Sequence, residues 1–381
     1  MKAIMNLVTR TLYILASCAS FTATSQAFTL KYHVTAITPG VAQGVNDKGD
    51  VTGTLTVLSN PPPPVWDPED TYTTHAFLYK GGKVLDLGVL FNPNNPDGEH
   101  TLGEAVNNSD VVAGNIVDAG PGDPSAGAFD AFLWKNGTFT DIAQGTTDGG
   151  SSADAVGINE QGTAVGTYDA TVLLHKLKVP GLGLFGYPHA YISRNGVQTD
   201  LGTLAGQNGN YSSGFAINNA GQVVGVSTNT TTLLSGDSYT GGAPFYAFLW
   251  TNRTMKVIGG AQSSNFAPTA INDNGWIAGT LSGQAVLYVN SRFIPLGTVK
   301  GFTTSQSLSM NNLGMVVGKI VGAASSSVFV YDGLMHNLNT LVDGGWTITT
   351  VGKINIFGQV AATGTKSGST MTYALLLTPS L

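Results

Sequence analysis

The sequence predicts an all-β chain, a seven-bladed β-propeller of four-stranded antiparallel blades. Three observations predict it. A ten-residue phrase centred on Asn-x-x-Gly recurs seven times. A second phrase, rich in aromatic residues and carrying its own tight turn, follows each copy. The two ends of the chain hold complementary fragments of one repeat.

Residues 1–27 stand apart from this pattern. Lys2 and Arg10 precede the apolar run "TLYILASCASF", and "TATSQA" ends in small residues, the pattern of an export signal cleaved after Ala27. A competing reading takes "LASC" (15–18) as a lipobox, leaving Cys18 as a lipid-anchored N-terminus. Both readings imply export, to the periplasm or beyond. Residues 28–381 then form one domain, in which no apolar stretch approaches the ~20 residues of a membrane helix. Cys18 is the sole cysteine, so the mature domain is expected to hold by core burial without disulfides. Net charge is −6, becoming −8 once Lys2 and Arg10 are removed. Only 10% of residues are charged and the cations are scattered, which argues against nucleic acid or an anionic membrane as partner.

The first phrase reads "GVNDKGDVTG" (44–53), "AVNNSDVVAG" (105–114), "GINEQGTAVG" (157–166), "AINNAGQVVG" (216–225), "AINDNGWIAG" (270–279), "SMNNLGMVVG" (309–318) and "KINIFGQVAA" (353–362). Its Asn falls at Asn46, Asn107, Asn159, Asn218, Asn272, Asn311 and Asn355. Short apolar runs flank a turn in which Asn can bond its own following backbone and Gly can take positive φ, so each copy is a hairpin. The seven Asn are therefore structural turn residues. Asp110 replaces Gly in the second copy and is expected to tolerate the left-handed region.

The second phrase, as in "HAFLYKGGKVLDLG" (75–88) or "YAFLWTNRTMKVIG" (246–259), is another hairpin. One repeat is thus four short antiparallel strands in about 40–60 residues, the size of a propeller blade. The last repeat stops after its third strand at "YALLLTP", and a lone strand opens the mature chain at 29–38. That strand is expected to complete the seventh blade and close the ring, leaving no bare sheet edge.

"HAFLY" (75–79) and "HAYIS" (189–193), each after an Asn-x-x-Gly hairpin, resemble the extracellular HAF repeat family of bacteria. The resemblance covers nearly all of 29–379. It implies export and a propeller-like array, and brings no established catalytic residues. The His is kept in two of seven copies, the others having Asp130, Tyr246, Gln284, Ser327 and Tyr373. As isolated members of a variable position, His75 and His189 are poor metal candidates, and the remaining His show no ligand spacing. Trp134 and Trp250 alternate as packing residues.

In an up-and-down blade the tight turns share one face, and the long insertions share the other. The longest connections between second and third strands, at 54–74, 115–129, 167–188 and 226–245, belong to repeats 1–4 and shrink to 280–283 in repeat 5. Concentrated insertions mark a binding face. There "PPPPVWDPEDTY" (61–72) sets Trp66 and Tyr72 among Asp67, Glu69 and Asp70, and Glu99 lies in the next connection, a set suited to a glycan. Calcium would take such oxygens, but the spacing fits no calcium loop, so no metal or other cofactor is expected. Gly-x-Ser-x-Gly, His-x-x-Glu-His and Asp-box signatures are absent.

The sequence-level expectation is an exported, non-catalytic binding or scaffold protein, whose ligand on the long-loop face is a glycan, an envelope component or a cell-surface protein. The alternative is a polysaccharide hydrolase or lyase using the loop carboxylates Asp67, Asp70, Asp118 and Asp123, which requires a convergent acid pair.

Overall fold

A computed structural model describes residues 30–58, 72–89, 99–118, 129–143, 153–170, 187–206, 211–229 and 244–380. These residues are all-β. Repeats 2 to 6 each form a four-stranded antiparallel sheet whose strands neighbour one another in chain order. Repeat 5 is typical, with strands Phe266–Ile271, Ile277–Leu281, Gln284–Val289 and Arg292–Pro295.

The sixth sheet has seven strands because one long strand, Lys31–Val45, serves two repeats. Its first half, Lys31–Pro39, pairs antiparallel with Tyr373–Ser380 of repeat 7. Its second half, Gly40–Val45, pairs with Val51–Leu55 of repeat 1. Gly40 marks the changeover, with φ 138°. A side chain there would meet the carbonyl oxygen of Thr54 at 2.2 Å, so the crossing requires glycine.

The Asn-x-x-Gly turn works as follows in repeat 1. Asn46 Oδ1 accepts from the backbone N–H groups of Lys48 and Asp50, at 3.0 and 2.9 Å. The Asn46 backbone N–H donates to the Asp50 carbonyl, and the Gly49 N–H donates back to the Asn46 carbonyl. One side chain therefore satisfies two N–H groups of the turn that the ladder leaves over. Its amide nitrogen remains, and it leaves the repeat altogether.

Asn46 Nδ2 donates to the Asn107 carbonyl at 3.1 Å, Asn107 to Asn159 at 3.0 Å, and Asn159 to Asn218 at 3.1 Å. Asn218 donates to Asn272 at 3.0 Å, Asn272 to Asn311 at 3.3 Å, and Asn311 to Asn355 at 2.9 Å. Asn355 donates to Asn46 at 2.8 Å, which returns the series to its start. All seven residues are buried. Aspartate could not donate here.

The last residue of the phrase has a separate cause. In repeats 1, 2, 4, 5 and 6 the first strand bulges at one residue, Gln43, Glu104, Phe215, Thr269 or Leu308. The facing glycine lies against the bulge. A Cβ on Gly114 would sit 2.0 Å from the Leu102 carbonyl oxygen and 2.7 Å from the Phe132 ring. Phe77, Phe132, Phe248 and Phe329, the aromatic of the second phrase, are wholly buried in these sheets. Asp110 takes φ 60° in its turn and accepts ion pairs from Lys48 and Lys80 of the neighbouring repeat, which offset its poorer fit.

Asn159→Asp is expected to lower unfolding free energy by roughly 1–3 kcal/mol, because a buried carbonyl loses its donor and meets a carboxylate. Urea denaturation with an unchanged slope is the check, and Gln161→Ala in the same turn should change stability little.

Candidate functional site

The first strands of the seven repeats surround an axial space. Each touches the next, and the strand of repeat 7 touches that of repeat 1. At the turn end, residues of all seven line a cavity of about 200 Å³. The residue after each Asn is Asp47, Asn108, Glu160, Asn219, Asp273, Asn312 and Ile356, a collar of which all but Asn108 line this cavity. These form a second series of bonds. The Asp47 N–H donates to Asn108 Oδ1 at 2.8 Å, the Asn108 N–H to Glu160 Oε2 at 3.0 Å, and the Glu160 N–H to Asn219 Oδ1 at 2.9 Å. Asp273 accepts from the Asn219 N–H, and Asn312 from the Asp273 N–H, both at 2.9 Å. Ile356 has no acceptor to offer and the series stops there, although its N–H donates to Asp47. Partial burial and the charges of Asp47 and Asp273 push Glu160 up, while the Asn108 N–H holds it down. The collar acids are consumed in structure.

Chemically distinct groups lie deeper. Position two before the Asn is Gly44, Ala105, Gly157, Ala216, Ala270 and Ser309 in six repeats, and Lys353 in the seventh. The bulge of repeat 2 supplies Glu104, and Asp154 lies five residues before Asn159. Counted back from the turn Asn, Lys353, Glu104 and Asp154 stand at offsets of two, three and five residues. Desolvation lowers the Lys353 ammonium, against the opposing charge of Glu104. Desolvation raises Glu104, with Lys353 lowering it and Asp154 raising it further. Desolvation pushes Asp154 up to about 6 despite the Thr167 N–H, which donates to its Oδ1 at 2.6 Å. Tyr191 Oη anchors the same residue through its carbonyl at 2.8 Å. Each of the three is thus shifted toward its neutral form, and their charges act on one another. Lys353 lines the axial cavity, and Glu104 and Asp154 lie outside its lining; groups perturbed in this way are candidates for proton-transfer chemistry.

A second constellation explains the second phrase. His75 Nδ1 lies 2.8 Å from Asp86, and His189 Nδ1 lies 3.0 Å from Asp200. The carboxylate also caps the turn that follows, accepting from the Gly88 and Gly202 N–H groups. The His of "HAF" and the Asp of "DLG" are one structural unit. Ser327 and Asn337 make a neutral version at 2.8 Å. Repeat 2 instead sets Asp130 opposite Asp141, and Asp130 is raised by desolvation and by that neighbouring charge.

Of the residues expected to bind on the loop face, Trp66, Asp67, Glu69, Asp70 and Asp123 lie outside the described residues. Tyr72 opens the third strand of repeat 1. Glu99 and Asp118 are register partners at one end of the repeat 2 sheet. Among the described residues no group of three or more His, Cys, Asp or Glu could hold a metal ion, and no helix is long and apolar enough to cross a membrane.

No family model matches the chain, and no curated protein matches it. Among solved structures the chain is similar to an acylaminoacyl peptidase of Pyrococcus horikoshii, at 11% identity over 89% of this chain and 51% of that one, TM-score 0.49. The chain thus spans about half the length of that peptidase. It is similar to an oligogalacturonate lyase of Vibrio parahaemolyticus at 9% identity, 92% of this chain, 97% of that one and TM-score 0.47. It is also similar to the β-propeller domain of the Trilobed protease of Pyrococcus furiosus, at 10% identity, 80% and 100% coverage and TM-score 0.35. Each is named as an enzyme or as part of one, against the expectation of a non-catalytic binding or scaffold protein, while the likeness itself describes the fold. Within the chain, Lys353, Glu104 and Asp154 are shifted by burial, and the charges of Lys353 and Asp154 act on Glu104. The loop acids legible in the sequence do not include them, although Lys353 is the one large residue heading the Asn phrase, where the other repeats carry Gly, Ala or Ser.

Asp154 carries a raised pKa in the folded state, so its stability contribution is complete at acid pH and is lost as pH rises from its ordinary value toward about 6. Asp154→Asn is therefore expected to raise stability at pH 7.5 by on the order of 1–2 kcal/mol and to change little at pH 4, read by thermal melts at both values. Asp130→His, which restores the His–Asp pair, is expected to stabilise by about 0.5 kcal/mol at pH 6 and less at pH 9, where the imidazole is neutral.

Proposed function

We propose that this chain is an exported glycoside hydrolase, built as a seven-bladed propeller of the HAF repeat kind, with its chemistry along the axis. Seven blades are supported by seven turn asparagines joined in one series of hydrogen bonds. Closure by the N-terminal strand is supported by the pairing of Lys31–Pro39 with Tyr373–Ser380. Export is supported by the basic, apolar and small-residue order of residues 1–27. The HAF kinship is supported by the coupling of His75 to Asp86 and of His189 to Asp200.

The activity rests on one observation, the axial set of Lys353, Glu104 and Asp154 with their opposed shifts. Glycosidic cleavage needs one carboxyl that still holds a proton and one that is ionised. Asp154, with a pKa of about 6, holds a proton through weakly acid pH and gives it to the departing glycosidic oxygen. Desolvation raises Glu104 and the Lys353 charge opposes that rise, favouring its carboxylate, which acts on the anomeric carbon directly or through water. Lys353 positions that carboxylate. These groups take over the role that the loop acids Asp67, Asp70, Asp118 and Asp123 had in the sequence-level alternative.

Residues 28–381 are to be incubated with a panel of neutral and acidic polysaccharides while reducing ends are counted. New reducing ends are expected, with activity falling as pH rises past about 6. Glu104→Gln and Asp154→Asn should each lose about 100-fold or more while remaining folded, Asp154→Asn being the more stable protein at neutral pH. Absence of new ends across the panel, or full activity in both variants, would overturn the assignment. Ultraviolet absorbance from unsaturated uronate would replace hydrolysis by elimination.

A further inference from the structure

We propose that the groove between repeats 5 and 6 is a subsite for an uncharged saccharide unit, a reading that rests on the glycosidase assignment only for its link to the axial acids. The groove has a volume of about 410 Å³, within the roughly 300–1,000 Å³ typical of small-molecule sites. Its lining contains no Asp, Glu, Lys, Arg or His. Asn265, Thr280, Ser282 and Gln306 supply its polar wall. Within the described residues none of these four side chains makes a hydrogen bond, so their donors and acceptors are available. Thr269 and Ser307 bridge the base of the groove hydroxyl to hydroxyl at 3.0 Å. Leu308 stays 44% exposed beside them, an apolar contact for the C–H face of a ring.

A charged ligand finds no counter-charge in this lining, and a hydrocarbon would strip water from hydroxyls and amides without replacing it. A neutral polyol satisfies both conditions. The groove is open because repeat 5 has no insertion. Its second and third strands join through Ser282–Gly283 alone, with Leu281 and Gln284 already paired. This is the shortest spacing between turn asparagines, 39 residues. Thr269 and Leu308 also sit three residues before their asparagines, as Glu104 does before Asn107. Two residues of the groove thus hold the register position in their repeats that Glu104 holds in its own.

The test uses the folded Glu104→Gln protein, so that bound sugar is not consumed. Binding of cellotriose, maltotriose and xylotriose is to be followed by calorimetry and ligand-detected NMR, with trigalacturonate as the charged counterpart. At least one neutral trisaccharide is expected to bind, and trigalacturonate at least tenfold more weakly. Ala267→Trp, which fills the groove from an exposed position, and the pair Thr280→Val with Gln306→Ala should each weaken binding tenfold or more at unchanged melting temperature. The proposal is overturned if no neutral trisaccharide binds, if both altered proteins bind like their parent, or if the acidic sugar is preferred. Binding that persists while wild-type protein cleaves nothing would sink the hydrolase reading and leave the groove standing.

Discussion

The structure depends on one interaction, the hydrogen bond from the amide of each turn asparagine to the carbonyl of the next. Singly such a bond contributes only about 1 kcal/mol. Its consequence is geometric. The same side chain holds its own turn through Oδ1 and the neighbouring repeat through Nδ2, so the turn conformation and the angle between sheets are set together. With both ends of the amide occupied, no rotamer freedom remains. The bulged residue just upstream is thereby held at a fixed height on the axis. That is how side chains 249 positions apart in sequence, Glu104 and Lys353, come within electrostatic reach of each other.

The repeat also explains where individuality resides. Positions that hold sheets together are nearly uniform: the turn Asn, the glycine under the bulge and the buried aromatic. The bulged positions vary freely, from Gln43 and Glu104 to Phe215, Thr269 and Leu308. Leu308 is exposed and the other four are only partly buried, so packing constrains them less than it does the turn Asn. Variation there is open to selection for chemistry. The same logic applies to the rim, where a repeat without an insertion leaves open the ground that others cover.

The strand pattern was legible because periodicity and turn residues act locally. The Asn phrase announced its hairpin, and the fragments at the two ends indicated the pairing of Lys31–Pro39 with the last strand. Two features were not legible. The amide of Asn46 bonds a residue 61 positions away, and no local rule contains that partner. The coupling of His75 to Asp86 hides in a phrase whose two members looked like separate motifs, although they recur together eleven residues apart. The axial groups were visible only as departures from the repeat, Lys353 among small residues above all. Long loops drew attention because insertions are conspicuous, whereas a substitution on the axis changes one letter.

The strand Lys31–Val45 belongs to the first repeat by chain order and to the last by half of its pairing. Its Tyr32 hydroxyl donates to the carbonyl of Gly358, 326 residues away. Few contacts have a higher sequence separation, and topology of this kind slows folding because loop closure precedes any reward. As the chain emerges from its N-terminus, Lys31–Pro39 remains an unpaired edge until Tyr373–Ser380 arrives, which makes it a template for other chains in the interval. Assembly of the whole molecule therefore waits on its final strand, and a chain shortened by those few residues would lose the first repeat's anchorage together with the last.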